Sequence, residues 1–161
     1  MKLDKRRRRE CKTNYCRRLF LLKGNSPRLV IRKTNRYIIM QIIKSKNAKD
    51  NVLYSFNTRE LLKHGWPEKK KGSLKSLSAA YFGGLLLGEK AKKLKERIIL
   101  DIGLIPNTKG SRAYAAVKGI SDSGIEIKYD DKIMPLEDRI NGKHMKENFS
   151  EMFKKIKGGL K

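Results

Sequence analysis

The chain has few of the residues that build metal centres and disulfide frameworks. Its 161 residues include two cysteines, Cys11 and Cys16, and two histidines, His64 and His144. Two cysteines fit a reducing compartment better than a disulfide scaffold, and the histidines lie too far along the chain to complete a zinc site. We therefore expect no metal and no other cofactor.

Long apolar runs are missing too. The best candidate, residues 79–87, is interrupted by Gly83 and Gly84, and it is far shorter than the ~20 residues of a membrane-spanning helix. The charged N-terminal residues are followed by no apolar segment, which argues against a secretory signal. We expect a cytoplasmic protein with no membrane partner, and the length predicts a single globular core.

Acidic residues are scarce, since 16 Asp and Glu stand against 40 Lys and Arg, giving a net charge of +24. Such an excess repels itself in the folded state and predicts a polyanionic partner. The excess is concentrated in residues 1–33, where only Asp4 and Glu10 are acidic, whereas residues 120–140 carry six acidic residues against three basic ones. One end of the molecule is therefore suited to phosphates and the other is not.

The order of predicted elements indicates an α/β fold. β-Branched and aromatic residues predict strands at 29–32, 37–43 and 52–56, with a polar turn at 33–36, joined as an antiparallel meander. Helical spacing predicts a main helix over 73–95 and a second over 112–122, with a buried strand at 97–102 between them. This order predicts a parallel strand added to the meander, making a mixed sheet with packed helices. Gly83, Gly84 and Gly88 predict that a strand or another helix lies close to the main helix.

Composition divides the chain into three parts. Residues 1–24 are a basic RNA-binding extension, whose first twelve residues we expect to be disordered until a partner neutralises them. Residues 25–125 form the α/β globular domain, and residues 126–161 form an acidic loop and a C-terminal amphipathic helix. That helix, over 146–156, can pack on the domain or dock on a partner; both options stay open.

Catalytic chemistry finds little support. Asp101 ends a buried strand, but a two-metal nuclease needs several converging carboxylates, and the other acid near the sheet, Asp50, is expected in a loop. The loop 103–111 lacks the glycine that precedes lysine in a nucleotide-binding loop. Lys109 and Arg112, at a helix start that Ser111 is expected to cap, can still hold an RNA phosphate. We predict no enzymatic activity and no small-molecule substrate.

The basic extension and the tip of the hairpin are the best candidate site. Long cations reach phosphates, Asn35 can read a base edge or a 2′-hydroxyl, and Tyr37 can stack on an exposed base. The predicted RNA-binding residues are Arg6, Arg7, Arg8, Arg9, Lys12, Asn14, Tyr15, Arg17, Arg18, Lys23, Arg28, Arg32, Lys33, Thr34, Asn35, Arg36, Tyr37, Trp66, Lys69, Lys70, Lys71, Lys109, Gly110, Ser111 and Arg112. Two alternatives remain: a metal-dependent nuclease that uses Asp101, and a non-specific basic RNA chaperone or membrane-surface binder.

A series of short motifs, in order along residues 13–144, resembles one protein family. These motifs are TNY at 13–15, RL at 18–19, RLVIRKTNRYI at 28–38, REL at 59–61, HGW at 64–66, AAY at 79–81, GLLLG at 84–88, LDIGL at 100–104, TKGSR at 108–112, AAVKG at 115–119, EDRI at 137–140 and GKH at 142–144. The chain resembles the large-subunit ribosomal protein family that binds 5S rRNA, the universal family eighteen, in its archaeal and eukaryotic form.

The resemblance implies a ribonuclease-H-like α/β fold without catalytic acids. It implies binding of 5S rRNA at the central protuberance of the large ribosomal subunit, with large-subunit rRNA and neighbouring large-subunit ribosomal proteins as further partners. It assigns much of the RNA contact to Tyr15, Arg18, Arg32, Asn35 and Arg36. The long C-terminal extension of eukaryotic members is not found here, so we expect an archaeal-type protein.

Overall fold

A four-stranded mixed sheet forms the centre of the molecule. The structure, a computed structural model, describes residues 3, 4, 6–47, 49–94, 96–143 and 158. Its strands are β1 (Arg28–Lys33), β2 (Ile38–Lys46), β3 (Lys49–Asn57) and β4 (Ile99–Asp101). The strand order is β3-β2-β1-β4, with β1 antiparallel to β2, β2 antiparallel to β3, and β1 parallel to β4. The predicted meander with an added parallel strand is confirmed.

Five α-helices accompany the sheet among the described residues: α1 (Arg6–Arg9), α2 (Tyr15–Lys23), α3 (Leu77–Lys90), α4 (Arg112–Asp122) and α5 (Glu137–Ile140). Short 3₁₀ helices occupy Thr58–His64, Glu68–Ser73 and Asp131–Ile133. The lysine-rich segment at 68–72 is thus a helical turn. The predicted C-terminal helix at 146–156 lies outside the described residues.

Helix α3 is the centre of the core, because it is covered on opposite sides. Every residue from Ser78 to Gly88 is buried. A side chain at Gly83 would meet Met40 and Phe56 of the sheet, whereas one at Gly84 would overlap the Ala116 carbonyl of α4. The prediction that these glycines mark the close approach of a strand or another helix is confirmed, most directly by the Ala116 backbone of α4 against Gly84. Helix α3 is shorter than predicted, since it begins only after Ser76, whose hydroxyl accepts from the Ala79 amide at 3.2 Å.

The hairpin between β1 and β2 turns one residue later than expected. The Thr34 amide donates to the Tyr37 carbonyl at 2.9 Å, and the Tyr37 amide donates to the Thr34 hydroxyl at 3.0 Å. That hydroxyl donates in turn to the Tyr37 carbonyl at 2.7 Å. Hydrogen bonds between Thr34 and Tyr37 therefore close the turn, and Asn35 and Arg36 are exposed at its tip.

Two further predictions need correction. Strand β4 spans three residues rather than six, with Ile98 making only an isolated bridge to Ile127. The expected disorder of residues 1–12 is wrong for Arg6–Arg9, which form a helical turn. Here the two local acids offset part of the repulsion, because Glu10 pairs with Arg6 at 2.9 Å and with Lys12 at 2.6 Å, and Asp4 pairs with Arg8 at 3.6 Å.

Candidate nucleic-acid interface

A basic cleft of about 360 Å³ opens where the N-terminal extension meets the sheet. Its walls come from the segment before α2, from α2 itself, from the end of β1 and from the loop after β4. The charged residues of these walls are Arg7, Lys12, Arg17, Arg18, Arg32, Lys33 and Asp101. Six cations from two separate stretches of sequence therefore face one cavity, which we call the basic cleft, together with the carboxylate of Asp101 from a third stretch.

Helix α2 places two of these cations at its first turn. The Asn14 side chain caps the helix by accepting from the Arg17 amide at 3.0 Å. Arg18 Nη2 donates to Asp50 Oδ2 at 2.8 Å, and Arg17 Nη1 reaches the Gly103 carbonyl at 3.5 Å. The capping residue Asn14 is one of the predicted RNA-binding residues.

Arg32 forms part of the wall at the end of β1. Its Nη1 donates to the carbonyls of Asp101 and Ile31, both at 2.9 Å, and its Nη2 pairs with Asp101 Oδ1 at 3.2 Å. The side chain keeps 44% of its surface exposed. Gly103 makes this arrangement possible, since it has a φ of +64° and a Cβ there would lie 3.1 Å from the Arg32 guanidinium carbon. The guanidinium is held on one side and free to meet a ligand on the other.

Arg28 is the first correction to the predicted RNA-binding set. The residue is 1% exposed. Its Nη1 pairs with Asp101 Oδ2 at 3.0 Å, and its Nη2 lies 2.9 Å from both Asp50 Oδ1 and Ser45 Oγ. A side chain enclosed in this way cannot reach an RNA, and its role is to pair two carboxylates inside the protein.

Asp50 was expected in a loop, but it lies in β3 opposite Ser45 of β2. Burial by itself raises the pKa of the Asp50 carboxyl. The hydrogen bonds from Ser45 and Arg18, with the charges of Arg18 and Arg28, outweigh burial and leave the pKa below its ordinary value. Asp50 is therefore an anion at neutral pH, and it joins α2 to the buried arginine.

Trp66 is the second correction. The residue is 3% exposed and belongs to the core, where its indole packs edge-on against Phe82 with ring centroids 6.3 Å apart. Its indole N–H donates to the Lys70 carbonyl at 3.2 Å. The ring is thus enclosed and cannot stack on a base.

A second groove, of about 580 Å³, lies beside the first and shares Lys33 with it. It runs between the hairpin and the starts of α3 and α4, and Lys109, Gly110, Ser111 and Arg112 line it. Ser111 occupies the capping position of α4, but its side chain accepts no capping hydrogen bond, so the expectation that it caps the helix is wrong. The structure therefore brings the predicted 109–112 loop next to the hairpin.

Of the remaining predicted residues whose side chains the structure describes, none lines either cavity. Arg6, Arg8, Arg9, Tyr15 and Lys23 are exposed on the extension, and Lys71 is exposed on the 3₁₀ turn. Tyr37 is partly buried and packs against the core, while Lys70 is partly buried. The side chain of Lys69 lies outside what the structure describes.

Sequence reasoning missed Thr13, Ser45, Asp50 and Gly103 as parts of the interface. Thr13 lines the basic cleft, and its hydroxyl oxygen is enclosed without a hydrogen-bond partner among the described residues. Gly103 had one available signal, because a glycine at the end of a predicted buried strand suggests a turn with a positive φ. Ser45 and Asp50 had none, since their importance depends on a partner elsewhere in the chain.

The described part of the chain contains no group of three or more His, Cys, Asp or Glu residues arranged to hold a metal ion. Both carboxylate oxygens of Asp101 are engaged, by Arg28, Arg32 and the Gly103 amide. Of the helices that the structure describes, none has the length and apolar character needed to cross a membrane.

Comparison with known proteins addresses the resemblance directly. Residues 1–96 and 89–130 match the family described as ribosomal large subunit proteins 60S L5 and 50S L18. The chain belongs to this family. It is 50% identical over 145 residues to the large ribosomal subunit protein uL18 of Korarchaeum cryptofilum, covering 89% of this chain and 72% of that protein. It is 45% identical over 141 residues to the uL18 protein of Methanoregula boonei, covering 87% and 79% respectively.

Membership of the 60S L5 and 50S L18 family identifies the chain as a protein of the large ribosomal subunit and confirms the resemblance drawn from the motifs. The two relatives are archaeal, in agreement with the expected archaeal type. The basic cleft and the hairpin tip are accordingly the surfaces to consider for contact with ribosomal RNA.

Proposed function

We propose that this protein binds 5S rRNA and helps to anchor it in the central protuberance of the large subunit. The observation that carries the proposal is the basic cleft, where four cations of the extension and two cations at the end of β1 converge. Family membership supports a structural role in the subunit, and the motif resemblance supports 5S rRNA as the partner. Large-subunit rRNA and neighbouring ribosomal proteins would complete its surroundings.

The proposed mechanism is neutralisation of phosphates combined with a few contacts that depend on RNA shape. Arg7, Lys12 and Arg17 supply positive charge from the extension, whereas Arg32 is fixed by Asp101 and presents a defined edge. Asn35 and Arg36 at the hairpin tip can reach bases or 2′-hydroxyls exposed in a loop. No bond in the RNA is made or broken.

The test is the salt dependence of binding by the full chain. Each phosphate contact contributes about −0.7 to −0.9 to the slope of log affinity against log salt. Replacing Arg7, Lys12 and Arg17 together by Gln should therefore reduce the magnitude of the slope by about 2 to 3. Fluorescence anisotropy with labelled 5S rRNA and an unrelated hairpin RNA of equal length measures both slope and selectivity.

A matched control removes the same charge elsewhere. Lys92, Lys93 and Lys128 are exposed and line neither cavity, so their joint replacement by Gln should change the slope by less than about 1. Equal loss in both triple variants would show that net charge, not the basic cleft, drives binding. Equal affinity of the wild-type protein for the two RNAs would support the non-specific chaperone instead.

A further inference from the structure

Five charged side chains form a continuous chain that starts on helix α2 and ends in the wall of the basic cleft. In order they are Arg18, Asp50, Arg28, Asp101 and Arg32, and each neighbouring pair is 2.8 to 3.2 Å apart. The middle member, Arg28, is buried, while the outer two line the cleft. The position of α2 is thereby linked to the sheet through a fixed set of planar guanidinium contacts.

Helix α2 depends on such contacts because it contributes no buried residue. Leu19 and Phe20 are 54% and 71% exposed, so little apolar packing holds the helix against the sheet. Of its two side-chain hydrogen bonds to the body of the protein, Arg17 to Gly103 is long at 3.5 Å, whereas Arg18 to Asp50 is short at 2.8 Å. Asp50 is therefore the strongest polar anchor of α2 seen among the described residues.

Asp50 is itself held in place from the other side. Its Oδ1 accepts from Ser45 Oγ at 2.5 Å and from Arg28 Nη2 at 2.9 Å, while its Oδ2 is left for Arg18. Because Arg28 is enclosed and cannot move to water, the carboxylate is pinned and dictates where Arg18 lies. An anion placed here opposes phosphate binding by charge alone. Its pairing with the buried Arg28 explains why a carboxylate is present, and its second oxygen, on Arg18, ties the same carboxylate to α2.

We propose that Asp50 is a positioning residue for the RNA interface: it fixes α2 against the sheet, so that Arg17 and Arg18 face the basic cleft before RNA arrives. The inference rests on the proposed function, and its physical reason is preorganisation. Arginines that are already oriented lose less conformational freedom when they bind a phosphate.

Asp50→Asn distinguishes positioning from simple electrostatics, because the two predict opposite changes in the affinity for 5S rRNA. Removing a negative charge ~10 Å from a phosphate strengthens binding by up to about twofold in water, and by less in salt. Loss of positioning instead frees Arg18 and weakens binding to 5S rRNA, by about five- to tenfold if one oriented contact is lost. The control Glu96→Gln makes the same change of charge at an exposed ion pair with Lys44, and should strengthen binding by at most about twofold.

A double-mutant cycle shows whether Asp50 acts through Arg18. Arg18→Gln alone should weaken binding, and adding Asp50→Asn to it should then cause no further loss. Additive losses of affinity in the double variant would show that Asp50 does not act through Arg18. Asp50 is 32% exposed, whereas Asp101, which stays paired with Arg28 in this variant, is 8% exposed. Asp50→Asn is therefore expected to lose less stability than Asp101→Asn and to remain folded, which circular dichroism checks.

Hydrogen exchange of the free protein gives a readout that needs no RNA. The amides of α2 should exchange several-fold faster in Asp50→Asn than in the wild type or Glu96→Gln, while those of α3 stay unchanged. Unchanged α2 exchange together with equal or tighter RNA binding would overturn the proposal. If the wild-type protein fails to prefer 5S rRNA, the proposed function fails, and the exchange rates still decide whether Asp50 anchors the helix.

Discussion

Two adjacent glycines in helix α3 allow a sharp test of the packing that supports the interface. A Cβ on Gly84 would overlap the carbonyl oxygen of Ala116 and lie 3.1 Å from its Cα. A Cβ on Gly83 would instead meet the terminal methyl of Met40 and lie 3.2 Å from the Thr58 methyl. The first obstacle is the backbone of another helix, whereas the second is mainly the end of a flexible side chain.

The expected magnitudes follow from this difference. Both Gly→Ala changes gain about 1 kcal/mol of helix propensity. At Gly84 the helices α3 and α4 must move apart, at an overpacking cost of about 3 kcal/mol or more. At Gly83 the Met40 side chain can move, which costs roughly 1 kcal/mol and cancels the gain. Gly84→Ala should therefore lose about 2 kcal/mol, or roughly 4 to 8 °C in Tm, while Gly83→Ala stays near the wild type.

Urea unfolding followed by circular dichroism measures both variants. Gly72→Ala is a further control, because a Cβ there meets nothing within 4 Å. A Gly84→Ala variant as stable as Gly83→Ala would show that α3 and α4 do not approach each other closely.

Two further predictions concern buried polar groups. Asp101→Asn deprives the enclosed Arg28 of one of its two charged partners and should destabilise the fold by about 3 kcal/mol in urea unfolding; an unchanged midpoint would show that Arg28 does not need the charge. Burial and the hydrogen bond to Asp122, at 2.7 Å, raise the pKa of Tyr81 above its ordinary 10.0. The stability that neutral Tyr81 provides is therefore complete below pH 10 and is lost only as pH rises towards the raised pKa. Absorbance at 295 nm should show one late-titrating tyrosine that disappears in Tyr81→Phe; six tyrosines titrating together would contradict it.

Much of the fold could be predicted because its signals are local. Runs of β-branched and aromatic residues predict β1, β2 and β3. Helical spacing predicts α3 and α4, and the glycines of α3 predict a close contact. The errors occur where contacts with other parts of the chain override the local sequence signal. Ser111 has the sequence of a cap but makes no capping bond, and Asp50 lies in β3 where a loop was expected.

The candidate site shows the same division more clearly. Composition alone predicted a polyanionic partner, and the motif series predicted the ribosomal family that the comparisons then showed. The sequence could not rank the arginines, because Arg28 and Arg32 stand four residues apart in one strand and look alike. Their difference depends on carboxylates 22 to 73 residues away.

What the sequence by itself determined is the excess of positive charge, the order of strands and helices, and the family. What only the tertiary structure decided is which cations are free to meet RNA. Asp50 and Asp101 enclose Arg28 between them, and their remaining oxygens hold Arg18 and Arg32 at the rim of the basic cleft. The physical reason is that an ion pair depends on distance in space, and residues far apart in the chain become neighbours only when the sheet forms.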